Sequence, residues 1–142
     1  MMLKAIEESK KCKGIDVPVG CVIVKNSEII STGYNMKEIL HNSTAHAEII
    51  AITEAQKKLN DWRLDDCEMY VTLEPCPMCS WAIIQSRIKT LYFGSYNTES
   101  GGFGSFIDLK TKGKSNIQVY GGIEEAKCDK ILNDFFKDIR EK

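Results

Sequence analysis

Two short stretches of the chain carry residues that could do chemistry together: His46-Ala47-Glu48 and, 30 residues after the histidine, Pro75-Cys76-Pro77-Met78-Cys79. Two cysteines three positions apart on the first turn of a helix lie on one face, and the positive end of the helix dipole favours their thiolate forms. A histidine from a separate helix end brings the nitrogen and sulfur ligands to three. Structural zinc sites close with four protein ligands, whereas three leave the fourth tetrahedral position open, which is a catalytic count. Zinc lowers the pKa of bound water to about 7, but two thiolates largely neutralise the ion, so a base is needed nearby to take the proton and pass it on. Glu48, two residues from the histidine, is placed for that work. Other readings of the same residues stay open at this point. A lone C-x-x-C can be redox-active or structural. A structural zinc would draw its fourth ligand from His41, Cys12, Cys21, Cys67 or Cys128, none of which has the paired spacing of a zinc ribbon or finger. Otherwise Cys12, Cys21, Cys67 and Cys128 are expected as buried thiols that act as small hydrophobes.

The elements that must position these residues follow from periodicity. Met2, Ala5, Ile6, Ser9 and Cys12 recur at helical spacing over residues 2–13, with Gly14 as a stop. Cys21-Val22-Ile23-Val24 and the stretch from Glu28 to Gly33 read as two strands of a hairpin turning at Asn26-Ser27. Asn35, just after the second strand, reads by itself as a turn residue. Residues 46–59 predict a helix ending at Asn60-Asp61. Tyr70-Val71-Thr72-Leu73 predicts a buried strand stopped by Pro75. Cys76 then opens a helix through Ile84, with Pro77 at a first position where a missing N–H costs nothing. Residues 89–94 predict another strand, Gly94 to Gly104 a loop, Ile117 to Tyr120 a last strand, and residues 123–140 an amphipathic helix. Strands alternating with helices predict an α/β class, a three-layer α/β/α sandwich on a mixed sheet, antiparallel in the opening hairpin and crossing over by helices afterwards.

With 142 residues and 43% apolar content, the chain is expected to form one domain over 1–142, with a core that needs no staples. Nineteen basic and 20 acidic residues leave a formal charge of -1, so any nucleic-acid contact must rest on local clusters. No apolar run is long enough for a membrane span and the first residues carry acids, so a cytoplasmic location with reduced thiols is expected, with no membrane partner and no organic cofactor.

At His46-x-Glu48 and Pro75-Cys76-x-x-Cys79 the sequence resembles the zinc-dependent cytidine and deoxycytidylate deaminase superfamily, for which H-x-E and P-C-x-x-C are the known signature. It is similar over nearly its whole length to the bacterial tRNA-specific adenosine-34 deaminases. Val17-Pro18-Val19-Gly20, Gly33-Tyr34-Asn35, Thr44-Ala45-His46-Ala47-Glu48, Tyr70 to Cys76, Ser86-Arg87-Ile88 and Phe135-Phe136 carry that resemblance. It implies one zinc per chain on His46, Cys76 and Cys79, with Glu48 as the proton shuttle. It also implies a base pocket shaped by Asn35, Val19 and Leu73, further substrate contacts at Asn97, Phe135 and Phe136, a tRNA anticodon stem-loop as substrate, and a homodimer. Deamination of adenosine to inosine at the wobble position is the expected reaction. A deaminase of free guanine, cytosine or nucleosides is the alternative enzyme, and a zinc-stabilised binding module the alternative of another class.

Two stretches depart from the resemblance. A loop that usually reads D-x-K-x-G is here Asn97-Thr98-Glu99-Ser100-Gly101, and an Asn-His-Arg triplet corresponds to Asn116-Ile117-Gln118. A carboxylate at position 97 would accept from a ribose 2′-OH. An amide accepts more weakly and adds N–H donors, so Asn97 is expected to soften a preference for RNA over DNA, although Glu99 returns a negative charge nearby. Lys110, Lys112 and Lys114, and the basic end at Lys137, Arg140 and Lys142, either contact phosphates or are merely solvated. Phe135 and Phe136 point about 100° apart on one helix, so one of them is expected at a dimer or RNA surface.

Overall fold

A computed structural model describes residues 1–141; Lys142 of the basic end lies outside the described residues. The first helix, α1 (Met2–Ser9), buries Met2, Ala5, Ile6 and Ser9. It is shorter than the 2–13 expected. Its last turn tightens into a 3-10 turn at Lys10–Cys12, and Lys13 (φ 51°) and Gly14 (φ 75°) turn the chain left-handed. Strands β1 (Gly20–Lys25) and β2 (Glu28–Tyr34) form the expected antiparallel hairpin. Asn26 (φ 51°) and Ser27 (φ 65°) are both left-handed, the backbone that matches the strand twist in a two-residue turn.

A four-residue helix α2 (Lys37–Leu40) precedes α3 (Ala47–Leu59), which ends on left-handed Asn60. Then come β3 (Cys67–Leu73), α4 (Pro77–Gln85), β4 (Thr90–Ser95), the short α5 (Leu109–Lys112), β5 (Gln118–Tyr120) and α6 (Glu125–Glu141). Asp108 caps α5 by accepting from the Thr111 N–H at 3.2 Å. Neither α2 nor α5 was expected from periodicity, because four residues are too few to show a period.

The sheet runs β2-β1-β3-β4-β5, antiparallel through β3 and parallel from β3 to β5, so the mixed sheet expected is observed. Successive strand residues face opposite sides. Ile23, Met69, Val71, Leu91 and Phe93 meet Ala51 and Ile52 of α3 and Ile83 of α4 on one face. Tyr70 on the other face packs against Met2, Ala5 and Ile6 of α1 and Cys128 of α6. Each fully buried aliphatic side chain contributes roughly 1.5–3 kcal/mol, and this core forms with all six cysteines as free thiols. Two glycines let helices close on the sheet. A Cβ on Gly20 would strike the Ala5 carbonyl of α1, and one on Gly33 would strike the Ala47 carbonyl at the start of α3. Among the described residues no helix is long and apolar enough to cross a membrane.

Candidate active site

The site forms where α3 and α4 begin. His46 is the residue immediately before α3, in extended conformation (φ -80°, ψ 154°), and Cys76 holds the same place before α4 (φ -68°, ψ 170°). Two helix N-termini thus converge, and the positive ends of their dipoles favour anionic sulfur and carboxylate. Pro77 opens α4 as expected. The start of α3 is fastened by Asn35, whose Oδ1 accepts from the Ala47 N–H at 2.9 Å while its Nδ2 donates to the Val17 carbonyl at 2.9 Å. Asn35 therefore serves the backbone, as its sequence position suggested, and lines the cavity as well.

His46 Nδ1 lies 3.7 Å from Cys76 Sγ and 3.5 Å from Cys79 Sγ. Zinc–sulfur bonds of about 2.3 Å and zinc–nitrogen bonds of about 2.0–2.1 Å at tetrahedral angles put N and S about 3.6 Å apart, so both observed nitrogen–sulfur separations fit a tetrahedral zinc. All three donor atoms fall within 4.8 Å of one another, and among the described residues no fourth histidine, cysteine or carboxylate joins them. Cys12, Cys21, Cys67 and Cys128 are buried elsewhere as free thiols, in keeping with the hydrophobe expectation. The donor set thus fits zinc in its three-ligand form.

The electrostatics around these donors are those of a cramped anionic pocket. A hydrogen bond from Cys79 pulls the Cys76 thiol down to about 4, with His46 adding to the effect, while the shared proton and burial push Cys79 well up. His46 is raised, chiefly by its bond to Cys76. Glu48 is 4% exposed, and burial lifts its carboxyl to about 7, helped by the negative charge of Cys76. A carboxyl poised near neutral both takes and returns a proton, which is what a general acid and base must do.

A cavity of about 400 Å³ opens above His46, Glu48 and Cys76. Each expected substrate residue lines it: Val19, Asn35, Leu73, Asn97, Phe135 and Phe136. The two phenylalanine rings meet edge to face at 5.3 Å, Phe135 half-buried and Phe136 43% exposed, so their apolar surface serves the cavity wall. The Asn97 amide is bonded within its own loop, its Oδ1 accepting from the Ser100 N–H and its Nδ2 donating to Ser100 Oγ. A sugar contact there would have to use the second N–H or the second lone pair. Lys110, Lys112 and Lys114 are not among the cavity-lining residues. Ile117, where the resembled triplet has a histidine, is buried in the core.

Periodicity and motif spacing missed the organiser of the rim. Glu74, 1% exposed, accepts from the backbone N–H groups of Asn97 (3.2 Å), Phe103 (3.1 Å) and Ser105 (3.2 Å) and from the Ser105 hydroxyl. One carboxylate thus ties the 97–105 loop to the segment that carries Cys76. An acid between a buried strand and a proline was the only signal. Asp16 and Lys37, also on the cavity wall, were likewise missed.

The comparisons with known proteins agree with this geometry. Residues 1–95 match the cytidine and deoxycytidylate deaminase zinc-binding region. The chain is 42% identical to a tRNA-specific adenosine deaminase of Bacillus subtilis (strain 168), covering 99% of this chain and 89% of that one. A structure from a study of A-to-I editing by tRNA:A34 deaminases superposes with a TM-score of 0.88 at 34% identity, covering 92% of this chain and 97% of the other. The guanine deaminase of Bacillus subtilis gives a TM-score of 0.65 at 33% identity over 81% of this chain and 69% of that one. A three-donor cluster at paired helix starts, a buried acid beside it and near-complete coverage by such relatives place the chain in the cytidine and deoxycytidylate deaminase zinc-binding family, and within it among the tRNA-specific adenosine deaminases.

Proposed function

We propose that this chain is a zinc-dependent hydrolase that converts adenosine to inosine at the wobble position of a tRNA anticodon loop. The observation that carries the chemistry is the three-donor cluster with Glu48 buried beside it on the wall of one cavity. His46 Nδ1, Cys76 Sγ and Cys79 Sγ would hold the zinc, which supplies the Lewis acidity that activates water towards C6 of the base. Glu48 takes one proton of that water and delivers it to the ring nitrogen, then takes the second from the oxygen now bonded to C6 and gives it to the departing amine, leaving the C6 carbonyl of inosine. Balanced over the reaction, a C–O bond forms at C6, the C–N bond breaks and ammonia leaves. Val19, Leu73 and Phe135 give the base apolar walls, Asn35 holds the start of α3 in place beside it, and Asn97 and Phe136 complete the wall.

The tRNA substrate is taken from the relatives that match this chain end to end, and we propose a cytoplasmic location for the enzyme. We further propose that residues 1–142 act as one deaminase unit and pair as a symmetric homodimer. Exposed Leu40, Met78, Trp81 and Phe106 (52%, 38%, 42% and 66%) support pairing, because one protomer leaves them in water. The guanine deaminase fold likeness keeps a free-base substrate as the competing reading. Incubating the zinc-loaded protein in parallel with an anticodon stem-loop, adenosine and guanine, and measuring inosine and ammonia, separates the two.

A further inference from the structure

The cavity runs from a buried reactive end to an exposed mouth. Glu48 is 4% exposed at its reactive end, while Ile15, Ile139 and Phe136 are 57%, 52% and 43% exposed at its mouth. A base whose C6 must reach the donor cluster leaves its sugar and phosphates at that mouth. Four carboxylates line the cavity, Asp16, Glu38, Glu48 and Glu74, and these repel a phosphodiester. Among the lining residues Lys37 is the only lysine or arginine.

Lys37 is held by its backbone and free at its side chain. It opens α2, which is pinned where Asp16 Oδ1 accepts from the Glu38 N–H at 2.9 Å, and the Lys37 carbonyl accepts from the Asn42 N–H at 3.0 Å. Just before it, the Met36 N–H donates to the Ala45 carbonyl at 2.9 Å, one residue from His46. The ammonium is exposed and makes no ion pair among the described residues. Asp16, by contrast, is 4% exposed, and its Oδ2 has no hydrogen-bond partner among them. Lys37 is thus the one lysine or arginine side chain on this wall free to pair with an anion.

We propose that Lys37 is a specificity-determining residue that pairs with a phosphodiester flanking the nucleotide in the cavity, and so selects a polynucleotide over a free base or nucleoside. The assignment rests on the RNA reading above and extends it to a residue outside the deaminase signature. Free guanine has no phosphate for Lys37 to meet, whereas each neutralised phosphate contributes a salt-dependent term to RNA binding.

The test is the salt dependence of kcat/KM for an anticodon stem-loop with the zinc-loaded wild type, Lys37→Met and Lys37→Arg, alongside free guanine. Losing one phosphate contact should make the slope of log kcat/KM against log salt shallower by about 0.7–0.9 in Lys37→Met. The loss should reach roughly tenfold at low salt, expressed in KM rather than kcat, with zinc content and thermal unfolding unchanged, and Lys37→Arg should restore the slope. A wild-type slope in Lys37→Met, or a loss of the same factor at every salt concentration, would overturn the assignment while leaving the RNA reading standing. A wild type that deaminates guanine and leaves the stem-loop untouched would overturn both.

Discussion

A carboxylate beside a histidine and two thiols has a different job from a carboxylate in water. Burial lifts Glu48 to about 7, so near neutral pH it exchanges a proton at little cost in either direction. Glu48→Ala should therefore keep zinc and fold while losing at least ~10²-fold in kcat, since positioned proton transfer contributes roughly 10²–10⁴. Metal analysis and single-turnover deamination check both halves, with Cys79→Ser as the contrast that loses the metal as well. His46, Glu48, Cys76 and Cys79 were legible because their spacing alone places them on two helix starts. Asn35 was half legible: the turn role shows in the sequence, but its bond to the Ala47 N–H depends on where α3 begins. Glu74 was not legible, because its three backbone partners lie 23 to 31 residues away.

At the scale of elements, the geometry of the donors is inherited from how closely α3 approaches β2. Gly33 has no room for a side chain against the Ala47 carbonyl, the residue between His46 and Glu48. Gly33→Ala should push the start of α3 off the sheet, costing roughly 1–3 kcal/mol of stability and lowering zinc content together. A thermal melt with metal analysis on the same sample tests this, and a variant that melts lower with full zinc would uncouple the helix start from the site. The hairpin, β3, α4 and β4 were readable from alternation and from Pro77. Helices α2 and α5 were not, since they are single turns fixed by Asp16 and Asp108 rather than by an apolar stripe. Lys37 was missed for that reason: its place on the cavity follows from the turn that carries it.

At the scale of the molecule, the mixed sheet and its two helical layers were legible from the alternation of strands and helices, while the parallel placement of the three-residue β5 was not. Phe135 and Phe136 both line the cavity, and Phe136 stays exposed at its mouth, so the case for pairing rests on Leu40, Met78, Trp81 and Phe106, which lie outside that cavity. Sedimentation at micromolar concentration should show a dimer, and Trp81→Glu should shift it towards monomer. The central claim is more specific: one zinc-dependent cavity acts on one adenosine of an RNA loop. Its most direct measurement is the position of inosine in an anticodon stem-loop that carries adenosine at the wobble position and elsewhere in the loop, read by mass spectrometry after digestion. The account predicts inosine at the wobble position alone, with one ammonia released per inosine; a stem-loop left unchanged by zinc-loaded protein that deaminates free guanine would contradict it.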